Sequence, residues 1–224
     1  MHEKYYNNKL YPLQDEVLDI IQKEATVFYL SGGTALGRYY LHHRYSDDLD
    51  FFQNDSESFK NDANKIINVL KRKYSDACNV TLLDEKFVRI FIKYEDFSLK
   101  IEMINDVPFR QGDIIAGDLF HRIDSWGNIL SNKISAISRN EPKDIADILF
   151  LAQKYSFNWK DAVESAKMKD MWVNELEISS ILVNYDINSL KQLLWIDTPD
   201  YDKLKEQLKV ISKKILTAEN NNSV

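Results

Sequence analysis

ATVFYL-SGG-TALGRYYLHHRYS-DDLDFF, residues 25–52, is the stretch on which the reading of this chain turns. Ala25 to Leu30 is an apolar, β-branched and aromatic run of strand length. Ser31-Gly32-Gly33 stops it, Thr34 to His43 restarts as a helix, Arg44 to Asp47 is polar, and Asp48 to Phe52 reads as a second strand. A glycine turn feeding a helix N-terminus offers bare N–H groups and a favourable dipole to a phosphate. Asp48 and Asp50 are two apart, and a strand points such residues to one face. Side-by-side carboxylates are ligands for hard divalent cations such as Mg²⁺. A phosphate cradle and a metal-binding pair within one β-turn-α-β unit is what phosphoryl or nucleotidyl transfer requires.

Working outward from this unit, Leu13 to Glu24 has helical apolar spacing, and the polar, tyrosine-rich residues 1–12 read as a loosely held arm. Ser56 to Tyr74 reads as a helix with Phe59, Ala63, Ile66, Ile67 and Leu70 inward and Lys60, Lys65, Lys71, Arg72 and Lys73 outward. Three strand-like runs follow, Cys78 to Leu83, Lys86 to Tyr94 and Phe97 to Ile104, joined at Asp84-Glu85 and Glu95-Asp96 as hairpins. In the last of them Leu99, Ile101 and Met103 alternate with Lys100 and Glu102. Glu102 thus falls on the polar face, where it can join Asp48 and Asp50 as ligand to a metal on the side of the nucleophile. Residues 105–125 contain Pro108, Gly112 and Gly117 and read as a connection between two halves.

Beyond it the pattern is helical: Trp126 to Arg139, Pro142 to Tyr155, Trp159 to Lys169, Met171 to Val183, Ile187 to Leu194 and Tyr201 to Leu216. The tail AENNNSV reads as disordered. In NKISAISRNEPKDIADILFL, Ile134, Ile137, Ile145, Ile148 and Leu149 supply core stripes, and Lys133, Arg139, Lys143, Asp144 and Asp147 carry charge. Two readings stay open there. One is surface pairing worth a few tenths of a kcal/mol per pair; the other is a lysine that neutralises triphosphate charge, oriented by carboxylates of the second helix.

Composition narrows the classes. Hydrophobic residues make up 44% and charged residues 29% of 224, a globular balance with room for a real core. The net charge of -6 supplies no global field for nucleic acid, so any RNA contact needs a local basic patch. Cys78 is the single cysteine, which excludes an internal disulfide and fits a reducing compartment. No signal core and no stretch of transmembrane length is present, so a cytoplasmic location is expected. There is no G-x-x-x-x-G-K-[ST] and no G-x-G-x-x-G, which excludes a P-loop and a dinucleotide fingerprint. His42, His43 and His121 lack metal-binding spacing and read as helix-end or surface residues.

Taken together, L-S-G-G-T-A-L at Leu30 to Leu36, R-Y-S-D-D-L-D-F-F at Arg44 to Phe52, K-I-E at Lys100 to Glu102 and N-K-I-S-A-I-S-R-N-E-P-K-D-I-A-D-I at Asn132 to Ile148 resemble the AbiEii/AbiGii-type nucleotidyltransferases. These are toxin halves of bacterial abortive-infection and toxin–antitoxin systems within the DNA polymerase β-like superfamily. The resemblance implies an α+β fold: a polymerase β-like domain with a mixed sheet over residues 1–105, a connector at 106–125, and an all-helical half at 126–224 that completes the nucleotide site. It further implies that Asp48, Asp50 and Glu102 hold two Mg²⁺, and that Ser31, Gly32, Gly33, Thr34, Arg44 and Ser46 border the nucleotide. Lys133 falls where a nucleotide-binding lysine is expected, Asp144 where an acid essential to activity is expected, and Asp147 assists it. Gly33 stands where many relatives have serine, and Ser31 or Thr34 is then the hydroxyl that replaces it.

The implied activity is transfer of a nucleoside monophosphate from an NTP to an acceptor hydroxyl. The 3′ end of a tRNA is the acceptor of the family context, with an antitoxin protein as partner. A protein hydroxyl or an aminoglycoside-type small molecule, phosphodiester hydrolysis at the same carboxylates, and a catalytically silent binding module are the alternatives.

Overall fold

The structure, a computed structural model, describes residues 2–24 and 27–222. Contacts divide the chain into two units, one of Met1–Tyr39 with Tyr45–Asp124 and one of Tyr40–Arg44 with Ser125–Val224.

The first unit is built on a five-stranded mixed sheet. Its strands are β1 (Tyr29–Ser31), β2 (Leu49–Asn54), β3 (Cys78–Leu83), β4 (Phe87–Lys93) and β5 (Ser98–Asp106), in the order β1-β2-β5-β4-β3. Only the β2–β5 pair is parallel; the other pairs are antiparallel. The alternation in the sequence sets the two faces. Leu49, Phe51, Val88, Ile90, Ile92, Leu99, Ile101 and Met103 are all fully buried, whereas Asp50, Arg89, Lys100 and Glu102 between them are not. Helices α1 (His2–Tyr5) and α2 (Tyr11–Lys23) precede the sheet, and α3 (Gly32–Ala35) continues into a π-helical turn at Leu36–Tyr40. Helix α4 (Phe59–Tyr74) turns Phe59, Ala63, Ile66, Ile67 and Leu70 inward, as its spacing requires, and packs on β3, β4 and α2. The expected helix from Thr34 to His43 therefore ends at Tyr40. Of the strand expected at Ala25 to Leu30, only Tyr29 and Leu30 pair, while Ala25 and Thr26 lie outside the described residues.

The N-terminal arm is a correction to the sequence reading. Tyr6 and Leu10 are buried in a π-helical turn, Tyr6–Leu10, between α1 and α2. Tyr6 stacks on Tyr45 with ring centroids 4.2 Å apart, and its hydroxyl donates to Asp47 Oδ1 at 2.5 Å. Tyrosines scored as polar in a composition window bury most of their ring and need only one partner for the hydroxyl. The connector is likewise held in the first unit, because Leu30 exchanges backbone hydrogen bonds with Arg122 and Asp124 beside β1.

The second unit is helical: α5 (Trp126–Ser135), α6 (Pro142–Lys154), α7 (Trp159–Lys167), α8 (Glu175–Asn184) and α9 (Tyr201–Thr217). Side chains of Ser125, Asn158, Asn174 and Asp200 cap α5, α7, α8 and α9, each accepting from a first-turn N–H. Asn140 in the left-handed conformation ends the 3-10 turn after α5, and Pro142 opens α6. The tail also departs from expectation. Ala218 stops α9 in the left-handed region, and β7 (Asn220–Asn221) pairs with β6 (Phe157–Asn158). Asn221 donates its side-chain amide to the carbonyls of Ala152 and Tyr155, both at 2.7 Å. It thereby closes carbonyls at the α6 C-terminus that no helical N–H reaches. Asparagine composition suggests disorder, but this particular amide is a C-terminal cap. Ser223 and Val224 lie outside the described residues.

Candidate functional site

The carboxylates singled out in the first unit share one face. Asp50 on β2 is the direct register partner of Glu102 on β5, and Asp48 precedes Asp50 by one strand period. Lys100, one period before Glu102, puts its ammonium 2.9 Å from Asp48 Oδ2 and 3.3 Å from Glu102 Oε2. Arg89, the register partner of Glu102 on β4, binds Glu102 Oε1 at 2.7 Å. Burial works against the charge on Lys100, but Asp48, Glu102 and Asp50 outweigh it and raise its pKa above the usual lysine value. Among the described residues no three acidic, histidine or cysteine side chains converge into a finished metal cage. The donor set nonetheless fits a divalent ion in its chemistry: hard carboxylate oxygens, crowded on one face, with a cation already standing between two of them.

Gly32 makes this face possible. Its φ is +67°, and a Cβ there would lie 2.3 Å from Asp50 Oδ2. The turn can cross the carboxylate only without a side chain. Gly32→Ala is therefore expected to cost roughly 1–3 kcal/mol of strain, and so to lower both the melting temperature and the population of Asp50 in this position. Gly33→Ala, at a residue outside the positive-φ glycines, is expected to do neither. Equal melting curves for wild type and Gly32→Ala would contradict the assignment.

The hydroxyls expected to border the nucleotide are committed elsewhere. Ser31 is fully buried and donates to Asp124 Oδ2 at 2.8 Å. Thr34 is fully buried too; its hydroxyl donates to the carbonyl of Asp48 and lies 3.0 Å from the Ser46 hydroxyl. Both hydroxyls are thus engaged within the fold and shape the turn from below. Gln14 adds two amide bonds, to the carbonyls of Ser46 and Asp47, each at 3.0 Å. The loop leading to Asp48 is pinned from two sides, by Thr34 and by the N-terminal segment through Gln14 and Tyr6.

In the second unit Lys133, Asp144 and Asp147 come together with Arg44 and His43. Lys133 donates to Asp144 Oδ1 at 2.6 Å and pairs with Asp147 Oδ2 at 2.8 Å. Arg44 grips both Asp147 oxygens, each at 2.8 Å, and His43 Nε2 lies 2.9 Å from Asp147 Oδ1. Lys133 is 8% exposed and Asp147 is inaccessible, so surface pairing is the wrong description of these charges. Arg139 reaches Asp144 from an exposed rim position, and Lys143 faces outward. Burial opposes the charge on Asp147, yet Arg44 and Lys133 hold its carboxyl well below the usual range. Burial likewise opposes Lys133, and Asp147 and Asp144 raise it. His43 is buried as well, contrary to the helix-end or surface reading, and burial outweighs Asp147 so that its pKa is lowered. The neutral ring then carries its proton on Nε2, facing the carboxylate.

A pH dependence follows. A histidine depressed in the fold stabilises fully above its unfolded value near 6.5 and progressively less as pH falls below it. The Asp147 contribution persists until the pH falls below the ordinary carboxylate range near 3.9. The melting temperature is expected to drop between pH 7 and pH 5, and His43→Gln, whose amide nitrogen can stand where Nε2 does, should flatten that drop. Parallel pH–melting curves for the two proteins would show that His43 is not the group responsible.

The lysine-bearing helices α4 and α9 differ in what they leave without an acidic partner among the described residues. On α4, Lys60 pairs with Glu85, Lys65 with Asp62 at 2.9 Å and Lys73 with Glu16 at 2.6 Å, leaving Lys71 and Arg72. On α9, Lys203 pairs with Asp200 at 3.7 Å and Lys209 with Glu206 at 2.6 Å, leaving Lys205, Lys213 and Lys214.

The sheet order and helical second unit define a class with known members. A Helicobacter pylori protein, JHP933, superposes with a TM-score of 0.64 at 21% identity, over 93% of each chain. A second H. pylori structure, described as a candidate nucleotidyltransferase, gives 0.63 at 21% identity over 91% of this chain and 93% of that one. The fold is thus that of this nucleotidyltransferase class. The chain belongs to the AbiEii family, described as nucleotidyl transferase AbiEii toxin of type IV toxin–antitoxin systems, whose profile matches residues 19–214. An uncharacterised Aquifex aeolicus protein, aq_aa25, is 32% identical over 151 residues, which span 63% of this chain and 66% of that one, just under two thirds.

Proposed function

We propose that this chain transfers a nucleoside monophosphate from an NTP to an acceptor hydroxyl and releases pyrophosphate, as the toxin of a toxin–antitoxin pair. The observation that carries the reading is the register of Asp50 with Glu102, with Asp48 on the same face and Gly32 against Asp50. Asp48, Asp50 and Glu102 would hold the divalent ions, two Mg²⁺ by the family pattern. Bound there, such ions supply a lowered pKa for the attacking hydroxyl and charge neutralisation on the triphosphate.

The chain's own residues do the rest. The Gly32–Gly33 turn presents backbone N–H groups to phosphate oxygens, and the pinned 45–47 loop keeps Asp48 and Asp50 in place. Lys133 supplies a cation for the triphosphate, with Asp144 and Asp147 fixing its ammonium. Arg44 is held by Asp147 within the second unit. With an RNA acceptor such as the 3′ end of a tRNA, Lys205, Lys213 and Lys214 on α9 are the better-supported basic contacts, because they lack acidic partners among the described residues. No helix among those residues is long and apolar enough to cross a membrane.

The test is incubation of the purified chain with each α-labelled NTP, Mg²⁺ and total RNA. Label carried by an intact RNA, with pyrophosphate released, is the expected result. Shortened RNA without label would replace transfer by phosphodiester hydrolysis. Absence of incorporation into RNA, protein and aminoglycoside, with Asp48→Ala as toxic as wild type, would leave a silent binding module.

A further inference from the structure

The acid face carries a cation of its own, and the transfer reaction has no evident need for one there. Lys100 leaves β5 on the same side as Glu102 and touches two of the three carboxylates, Asp48 and Glu102. Of these three carboxylates Arg89 pairs with Glu102, and on the other oxygen, so Oε1 belongs to the guanidinium and Oε2 to the ammonium. The Lys100 side chain is 26% exposed against 42% for Arg89.

We propose that Lys100 is a resident counter-cation that keeps the carboxylate face assembled in the metal-free protein and must leave it when a divalent ion enters. Metal affinity is then set by competition between this ammonium and the ion. The inference rests on the reading of Asp48, Asp50 and Glu102 as metal ligands.

Three considerations support it. Carboxylates on adjacent strand positions repel each other, and among the described residues Lys100 alone pairs with both Asp48 and Glu102. An ammonium 2.9 and 3.3 Å from two carboxylate oxygens fills the gap in which an Mg²⁺ would need oxygens at about 2.0–2.1 Å. Finally, a lysine can vacate such a place without moving its strand, because its charge sits at the end of a flexible four-carbon stem. Once displaced, the ammonium stays within reach of the same face, where the incoming triphosphate brings negative charge.

The experiment titrates Mn²⁺ into the full chain, following free Mn²⁺ by electron paramagnetic resonance, and records melting curves in EDTA and in Mn²⁺. Lys100→Met is expected to bind Mn²⁺ about tenfold more tightly than wild type, to melt lower in EDTA, and to gain more on adding Mn²⁺. Arg89→Met removes an equal charge from the same face without vacating the gap, so its Mn²⁺ affinity should change by less than about threefold. Unchanged or weaker Mn²⁺ binding by Lys100→Met overturns the proposal. So does an equal gain in Arg89→Met, which would make the effect one of general charge. Should Asp48→Asn bind Mn²⁺ as well as wild type, the metal-ligand reading falls and this inference with it. Binding lost in Asp48→Asn but unaltered in Lys100→Met removes the inference alone.

Discussion

Asp147→Asn should lower the stability of the protein by roughly 3–5 kcal/mol, the usual cost of breaking a buried ion pair from one side. The carboxylate is inaccessible and is the common partner of Arg44, Lys133 and His43. An amide offers one acceptor oxygen to three donors and no charge to two buried cations. Asp144 still holds Lys133, so the lysine keeps a partner, but the Arg44 fork loses its charged, two-oxygen grip on residue 147. At about 2–4 °C per kcal/mol for a chain of this size, the melting temperature should fall on the order of 10 °C. Asp144→Asn should cost less, because Lys133 retains Asp147 and Arg139 is largely in water. The sharper comparison is the pair Arg44→Met with Asp147→Leu. Replacing both partners by apolar groups removes the unpaired charge, so the double variant should be less damaged than the sum of the single ones. A wild-type melting curve for Asp147→Asn, or strict additivity in the cycle, would show that these charges are not coupled inside the fold.

What could be read from the sequence and what could not follows the range of the interactions. The strand, glycine turn, helix and second strand were legible because each is written in neighbouring residues. So was the placement of Glu102 beside Asp50, since the alternation Leu99-Lys100-Ile101-Glu102-Met103 leaves one choice of face. The same alternation was silent about Lys100. A charged residue on the polar side of a strand looks alike whether it meets water or an acid on the next strand. Lys133, Asp144 and Asp147 stood out by motif, but their burial did not, because it depends on partners more than a hundred positions away: His43 and Arg44 meet Asp147 at sequence separations of 104 and 103. The two chain ends were misread for one reason. Composition windows treat tyrosine and asparagine as polar, whereas Tyr6 and Asn221 each bury a body and spend a polar tip on one specific partner. A pattern of Tyr-Tyr followed by an amphipathic helix is the one local signal that could have marked the N-terminal segment as packed.

Asp50→Asn separates catalysis from stability, and the two effects should carry opposite signs. The side chain lies against the Gly32 turn and in register with Glu102. Removing its charge while keeping its shape should lower nucleotide transfer by at least about 10³-fold, some 4 kcal/mol of transition-state stabilisation. The fold should not suffer. Asp48, Asp50 and Glu102 together place three negative charges against the two positive charges of Lys100 and Arg89. Losing one negative charge relieves repulsion, so the melting temperature in EDTA should hold or rise. Such a trade is expected where a site keeps charges that the fold alone does not need. Asp76→Asn, at an exposed acid away from this face, should leave both quantities unchanged. Transfer at wild-type rate by Asp50→Asn would remove the carboxylate face from the reaction. A loss of both rate and several degrees of melting temperature would instead mark Asp50 as a structural acid whose hydrogen bonds hold the turn. Mn²⁺ titration separates a third outcome, in which rate is lost, stability is kept and metal affinity is unchanged. There Asp50 would act on the acceptor hydroxyl rather than on the ion, and the metal would rest on Asp48 and Glu102.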